Sequence, residues 1–170
     1  MVLLLSNSYT YDHDFNTASL AYLNRYPNPY AKHVLSSDTL ECYIDDQGNL
    51  RTTRFVIKTG RLPGFIKPFL GDRLNSCIIE KLIINPNKKT MVCYSANIDH
   101  RKFIKIEELL NYSTIKGSTF VDSNVKFSSN FIGFKQKIEE WSHSKFLQNM
   151  KNSRQGLGYV MNQFKDKSYQ

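Results

Sequence analysis

Six side chains stand at positions where they could bind one anionic ligand. They are Arg25, His33, Lys58, Lys145, Asn149 and Asn152. Arginine offers a planar fork of donors, lysine a mobile charge and asparagine neutral donors, so such a group suits a phosphate. Taken singly, each is most simply a surface residue. They can meet only if the first helix, the strand that ends at Lys58 and the C-terminal helix enclose one space.

The C-terminal helix has two candidate buried faces. Steps of four and three residues from Ile138 and Trp141 lead to a polar run, Lys145, Asn149, Asn152 and Gly156. A cation buried there requires an anionic partner. Alternatively, this half of the helix turns toward solvent and the buried face shifts to Phe146, Met150 and Leu157. The sequence leaves both alternatives open.

Hydrophobic periodicity predicts the elements that would position these residues. Residues 2–9 read as a strand, and Asp14 is a good N-cap for a helix. Period-two segments then follow at about 33–44, 50–58, 75–84, 90–98, 103–112 and 119–127. From about Phe131 to Phe164 the period is helical. We therefore expect an α+β fold in a single domain over residues 1–170, with an antiparallel sheet of about seven strands and a long C-terminal helix. Periodicity does not tell whether the enclosed space is filled core or cavity.

The segment KTGRLPGFIKPFLGDR, residues 58–73, is both apolar and positive. It holds five large apolar side chains and four cations, yet three glycines and two prolines interrupt any long helix or strand. Such a loop could close over a cavity and attract an anionic bilayer, as a lid does. Alternatively, it is an ordinary surface loop anchored in the core by Phe65 and Phe69.

Composition limits the other functions. The 23 Lys and Arg residues against 15 acids give a net charge of +8, which favours nucleic acid, an acidic membrane or an anionic small ligand. Three cysteines and four scattered histidines suggest neither a disulfide framework nor a metal site. No nucleophile, phosphate-loop or dinucleotide motif occurs, and the pairs Glu107-Glu108 and Glu139-Glu140 are interpreted as solvated. We expect no enzymatic activity, cofactor or metal.

Several motifs resemble a known family. NRYPNPY, HVLS, GNLRTTR, KTGRLP with KPFL, VKFSS and EEWSHSKF are similar, in order and spacing, to the PRELI/MSF family of intramitochondrial lipid transfer proteins. The similarity spans nearly the whole chain. NRYPNPY and GNLRTTR resemble the phosphatidic acid branch, of fungal type, more than the phosphatidylserine branch.

The resemblance implies a fold and a function. It implies a StART-like or phosphatidylinositol-transfer-like fold, with a concave sheet, a long C-terminal helix and a lid loop over a lipid cavity. Such proteins carry phosphatidic acid from the outer to the inner mitochondrial membrane through the intermembrane space, where it supplies cardiolipin synthesis. They are peripheral on the inner membrane, touch anionic membranes transiently, and pair with a small twin-CX9C protein.

The resemblance also assigns site residues. It gives headgroup binding to the six residues named above, and lid and membrane contact to Arg61, Leu62, Phe65, Ile66, Lys67, Phe69 and Leu70. Two positions depart from a close relative, because Asn152 replaces a lysine and Phe65 a tryptophan. We expect Lys58→Glu or Arg25→Glu to abolish transfer and leave the fold intact.

A basic module that binds nucleic acid on the sheet face is the alternative from another class. It predicts exposed aromatic residues on adjacent strands. An enzyme that uses the same kind of cavity ranks last, because no acid and base converge in the sequence.

Overall fold

The computed structural model of the chain describes residues 1–60, 63–71 and 74–167. The strands within these residues are β1 (Val2–Tyr11), β2 (Val34–Ile44), β3 (Leu50–Gly60), β4 (Leu74–Asn85), β5 (Thr90–Asn97), β6 (Lys105–Ile115) and β7 (Ser118–Ser128). The helices are α1 (Phe15–Leu23), α2 (Lys67–Leu70) and α3 (Lys135–Lys167). The predicted α+β fold is confirmed.

The strands form one antiparallel sheet in the order β1-β7-β6-β5-β4-β3-β2. From β3 to β7 each strand pairs with its predecessor, and β1 then joins the free edge of β7. The alternation on β7 explains its orientation, because Val121, Val125 and Phe127 are buried while Asn124 and Lys126 are exposed. One face of the sheet is therefore directed inward, toward the helices.

Helix α1 begins with the N-cap that was predicted from the sequence. The Asp14 carboxylate accepts a hydrogen bond from the Thr17 backbone N–H at 2.9 Å, which caps the first turn. Phe15 and Tyr22 are buried, but Leu20 is 49% exposed.

Helix α3 runs for 33 residues, about 50 Å at 1.5 Å per residue. It begins at Lys135 and not at Phe131, because Gly133 adopts a φ of 87°, which an α-helix does not accommodate. Its first half packs on Phe127 and its second half on α1, in two separate apolar clusters. None of the described helices combines the length and the apolar character needed to span a bilayer.

Candidate functional site

A cavity of about 240 Å³ lies between the inner face of the sheet, α1 and α3. Its lining includes the apolar residues Val56, Ile78, Ile106, Leu110, Val125 and Phe146. A single buried water needs only about 10–15 Å³, so this space is much larger than a packing defect. The sequence did not tell whether the space between the sheet and the helices is filled core or cavity, and the structure shows a cavity.

All six residues predicted for headgroup binding line this cavity: Arg25, His33, Lys58, Lys145, Asn149 and Asn152. A more open pocket of about 430 Å³ shares His33, Lys145, Asn149 and Asn152 with it, which places these four at its mouth. Both candidate faces of α3 border the cavity, because Phe146, Met150 and Leu157 line it too. The structure brings the six together, and their role in binding stays a prediction.

The turn after α1 holds Arg25 close to α3. The Asn28 side chain donates to the Arg25 carbonyl at 2.7 Å and accepts from the Tyr30 N–H at 2.9 Å. Gly156 of α3 lies so near that a Cβ there would be 2.8 Å from the Asn28 side chain. The glycine therefore permits the close approach of helix and turn.

Arg25 is paired inside the cavity wall. Its guanidinium forms a close ion pair with Glu80 and lies 3.9 Å from the ring centre of Tyr22 and 4.5 Å from that of Tyr26. The Arg25 and Glu80 side chains are only 12% and 4% exposed. Burial by itself would raise the pKa of Glu80, but Arg25 and then Arg54 outweigh it and lower that pKa. Arg25 and Glu80 thus neutralise each other.

Three other basic side chains that line the cavity form no such ion pair within the part of the chain that the structure describes. Among the described residues, no carboxylate lies within 4.0 Å of Lys58, Lys145 or His33. Burial and then the charge of Lys58 lower the pKa of Lys145. Burial, followed by the charges of Lys58 and Lys145, lowers the pKa of His33. Lys58 and Lys145 therefore repel each other and disfavour a proton on His33, and a bound anion would relieve this repulsion.

Two acidic side chains line the cavity that were not predicted from the sequence to do so. Glu80 was not singled out, and the interpretation of Glu108 as solvated was wrong, because it lines the cavity. Burial raises the pKa of Glu108, and the charges of Lys58 and Arg25 partly oppose this shift. The alternation of side chains along β4 could have identified Glu80, since it lies on the same face of the strand as the apolar residues Ile78 and Leu82. Within the described ranges, no three potential metal ligands are grouped.

The lowered pKa of His33 predicts a dependence of stability on pH. The folded pKa lies below the ordinary 6.5, so His33 contributes fully above pH 6.5 and its contribution is lost as pH falls through the folded pKa. We expect the urea midpoint to drop between about pH 7.5 and 5.5, and to drop less in His33→Gln. The matched control is His143→Gln, on the exposed side of α3, which should keep the wild-type drop. Equal drops in both variants would refute the assignment.

Part of the predicted lid can be placed. Arg61 and Leu62 lie outside the described residues, as does the side chain of Leu70. Ile66 is 1% exposed, so in this conformation it anchors the loop, and its contact with a membrane stays a prediction. Lys67 is exposed.

Five phenylalanines from three connections form a group that we term the aromatic cluster: Phe65, Phe69, Phe103, Phe131 and Phe134. The contacting rings have centres 5.0 to 6.4 Å apart. Phe69 was expected as a core anchor in one interpretation, but it is 57% exposed, and Ile132 beside the cluster is 93% exposed. Four exposed cations flank the cluster in the chain, namely Arg101, Lys102, Lys135 and Lys137. This end of the sheet therefore presents apolar and positive side chains together.

Known protein sequences resemble this chain over nearly its whole length. The profile of the PRELI-like family matches residues 16–167. Protein UPS1, mitochondrial, from Saccharomyces cerevisiae is 45% identical over 98% of this chain and 97% of its own length. Protein ups1 homolog from Schizosaccharomyces pombe is 38% identical over 88% of this chain and 89% of its own.

Solved structures share the fold at low sequence identity. TTHA0849 from Thermus thermophilus superimposes with a TM-score of 0.63 at 12% identity, over 94% of this chain and 97% of that one. A START superfamily protein from Mycobacterium smegmatis gives 0.53 at 11% identity, over 95% and 98%. These similarities concern the fold alone, and they confirm the predicted StART-like architecture.

Proposed function

The chain belongs to the PRELI-like family, and from this premise we propose that it is a lipid transfer protein for phosphatidic acid. The observation that carries the proposal is a group of basic side chains, Lys58, Lys145 and His33, which line a cavity with apolar walls and have no carboxylate within 4.0 Å among the described residues. A phosphomonoester would bind these cations while its acyl chains occupy the apolar space. The lipid leaves chemically unchanged, so the protein is a carrier and not an enzyme.

The cellular setting is part of the same proposal. A relative that is 45% identical is named as mitochondrial, which supports a mitochondrial location. We place the protein in the intermembrane space, peripheral on the inner membrane, where it carries phosphatidic acid from the outer membrane for cardiolipin synthesis. A small twin-CX9C protein is the proposed partner. Co-expression with such a protein should yield a 1:1 complex on gel filtration, and separate elution of the two would contradict this part.

Native mass spectrometry of the purified protein tests the cargo. We expect a retained phospholipid whose mass corresponds to phosphatidic acid, and transfer of that lipid from donor to acceptor vesicles. A bare chain that shifts in mass with an RNA oligonucleotide would instead favour the nucleic-acid alternative. The structure offers little for that alternative. Among the described strand residues, the exposed aromatic rings are Tyr43 and Tyr94, on strands β2 and β5, which are not adjacent.

The aromatic cluster and its flanking cations suit docking on an anionic bilayer. Apolar side chains would enter the interface while lysine and arginine bind lipid phosphates. The cluster packs on Ile104 and Phe127, which also line the cavity, so a lipid could pass between bilayer and cavity along apolar surface. Docking followed by movement of the lid would then admit the acyl chains.

Ile132→Asp should weaken binding to vesicles that contain phosphatidic acid and phosphatidylcholine. The change places a charge where we expect an apolar side chain to enter the bilayer, and we expect binding in a flotation assay to fall about tenfold. The matched control is Ile115→Asp, because Ile115 is 48% exposed at the opposite end of the sheet. Equal binding by the two variants would exclude this surface.

A further inference from the structure

We propose that in the empty cavity Glu80 occupies the place beside Arg25 that a lipid phosphate takes, and that it thereby speeds the release of the lipid. The inference rests on the proposed function and adds to it an internal competitor for the cargo. It concerns a residue that the sequence analysis did not single out.

Geometry supports this role for Glu80. The carboxylate contacts Arg25 through Oε2 alone, and the Tyr22 hydroxyl donates to the same oxygen at 3.2 Å. Its other oxygen, Oε1, is buried and has no hydrogen-bond partner among the described residues. Because half of the carboxylate is unsatisfied, Glu80 holds Arg25 less firmly than a fully bonded bidentate pair would.

Arg25 also lies within electrostatic reach of Lys58. Burial would raise the pKa of Tyr26, but the charges of Arg25 and Lys58 lower it, so both cations are near the same hydroxyl. Arg25, Glu80 and Lys58 all line one cavity. A phosphate bound by Lys58 would therefore come close enough to attract Arg25.

An entering phosphate must then compete with a carboxylate already in place. If the phosphate takes Arg25, the buried Glu80 loses its closest counter-ion and keeps only the more distant charge of Arg54, and if it does not, the two anions repel each other. Either outcome weakens binding relative to a cavity without this charge. Differences in affinity among variants of one site appear mainly in the dissociation rate, so Glu80 should shorten the residence of the lipid.

Glu80→Gln tests the inference, because glutamine keeps the shape and can still accept from Arg25 and Tyr22 but carries no charge. We would load the protein with fluorescent phosphatidic acid and follow its release to phosphatidylcholine vesicles. Release should be about tenfold slower than from the wild type. Glu107→Gln is the matched control, since it removes the same charge from an outward-facing position near Tyr94 and should release at the wild-type rate.

The outcomes separate the inference from the proposed function. Wild-type protein that takes up no phosphatidic acid would overturn both. Loading of the wild type with release from Glu80→Gln as fast as, or faster than, the wild type would overturn the role of Glu80 alone.

A second measurement applies if Glu80→Gln does not fold when empty. Refolding in the presence of phosphatidic acid vesicles should then restore it, because the phosphate replaces the missing carboxylate, whereas phosphatidylcholine vesicles should not. Failure of phosphatidic acid to restore the fold would show that Glu80 is purely structural and would overturn the inference.

Discussion

Lys58→Glu should reduce the transfer of phosphatidic acid between vesicles by about 100-fold or more. Each charge-assisted hydrogen bond is worth about 1.5–3 kcal/mol, and the substitution both removes one and adds a repelling carboxylate beside Lys145. Lys58 forms no ion pair within 4.0 Å among the described residues, although its charge favours the ionised form of the buried Glu108 at longer range. The melting temperature should therefore fall much less than it does when the closely paired Arg25 is replaced.

The matched control for this variant is Lys81→Glu. Lys81 lies on β4 on the exposed, outward-facing side of the sheet, and the change alters the net charge by the same amount. It should transfer lipid at the wild-type rate, which separates the local site from a general attraction to anionic membranes. Wild-type transfer by Lys58→Glu would show that the headgroup is bound elsewhere.

Arg25→Gln should lower the free energy of unfolding by about 3–5 kcal/mol, because it removes the ion-pair partner of the buried Glu80 carboxylate. Urea denaturation at neutral pH measures this loss directly. The expectation replaces the one drawn from sequence, that Arg25 can be reversed in charge with the fold intact. With Glu80 opposite, Arg25→Glu would place two carboxylates together in the cavity wall.

Lys105→Gln supplies the comparison for Arg25. Lys105 also pairs with a glutamate, Glu107 at 2.7 Å, but this pair is more exposed, at 32% and 19%. Loss of this pair should lower the free energy of unfolding by less than about 1 kcal/mol. A similar small loss in Arg25→Gln would mean that Glu80 does not need its partner, and it would also weaken the proposed role of Glu80.

The family resemblance predicted the six headgroup residues, four of which lie in the quoted motifs, and the structure places all six on one cavity while their role in binding stays a prediction. NRYPNPY contains Arg25, and EEWSHSKF contains Lys145. Family resemblance assigns such positions without any knowledge of their distances. The resemblance gave no information about the charged groups that surround each cation. Arg25 and Lys58 were therefore both predicted to tolerate a reversal of charge without loss of the fold. In the structure Arg25 is neutralised by Glu80, while Lys58 is unpaired among the described residues.

The elements themselves followed from local chemistry. Alternation with period two specifies a strand and its inward face, and the Asp14 cap specifies the start of α1, because both depend on residues adjacent in the chain. The start of α3 was missed by four residues, since Gly133 could be read as part of a continuing helix until its φ of 87° was known.

Sequence by itself therefore determined the sheet, the two main helices and the family, which are properties of short segments and motifs. Tertiary structure alone decided that the interior is hollow, that both faces of α3 border it, and that Glu80 pairs with Arg25 across 55 residues. The physical reason is that cavities and buried charge pairs depend on distances between remote segments, and periodicity contains no such distances.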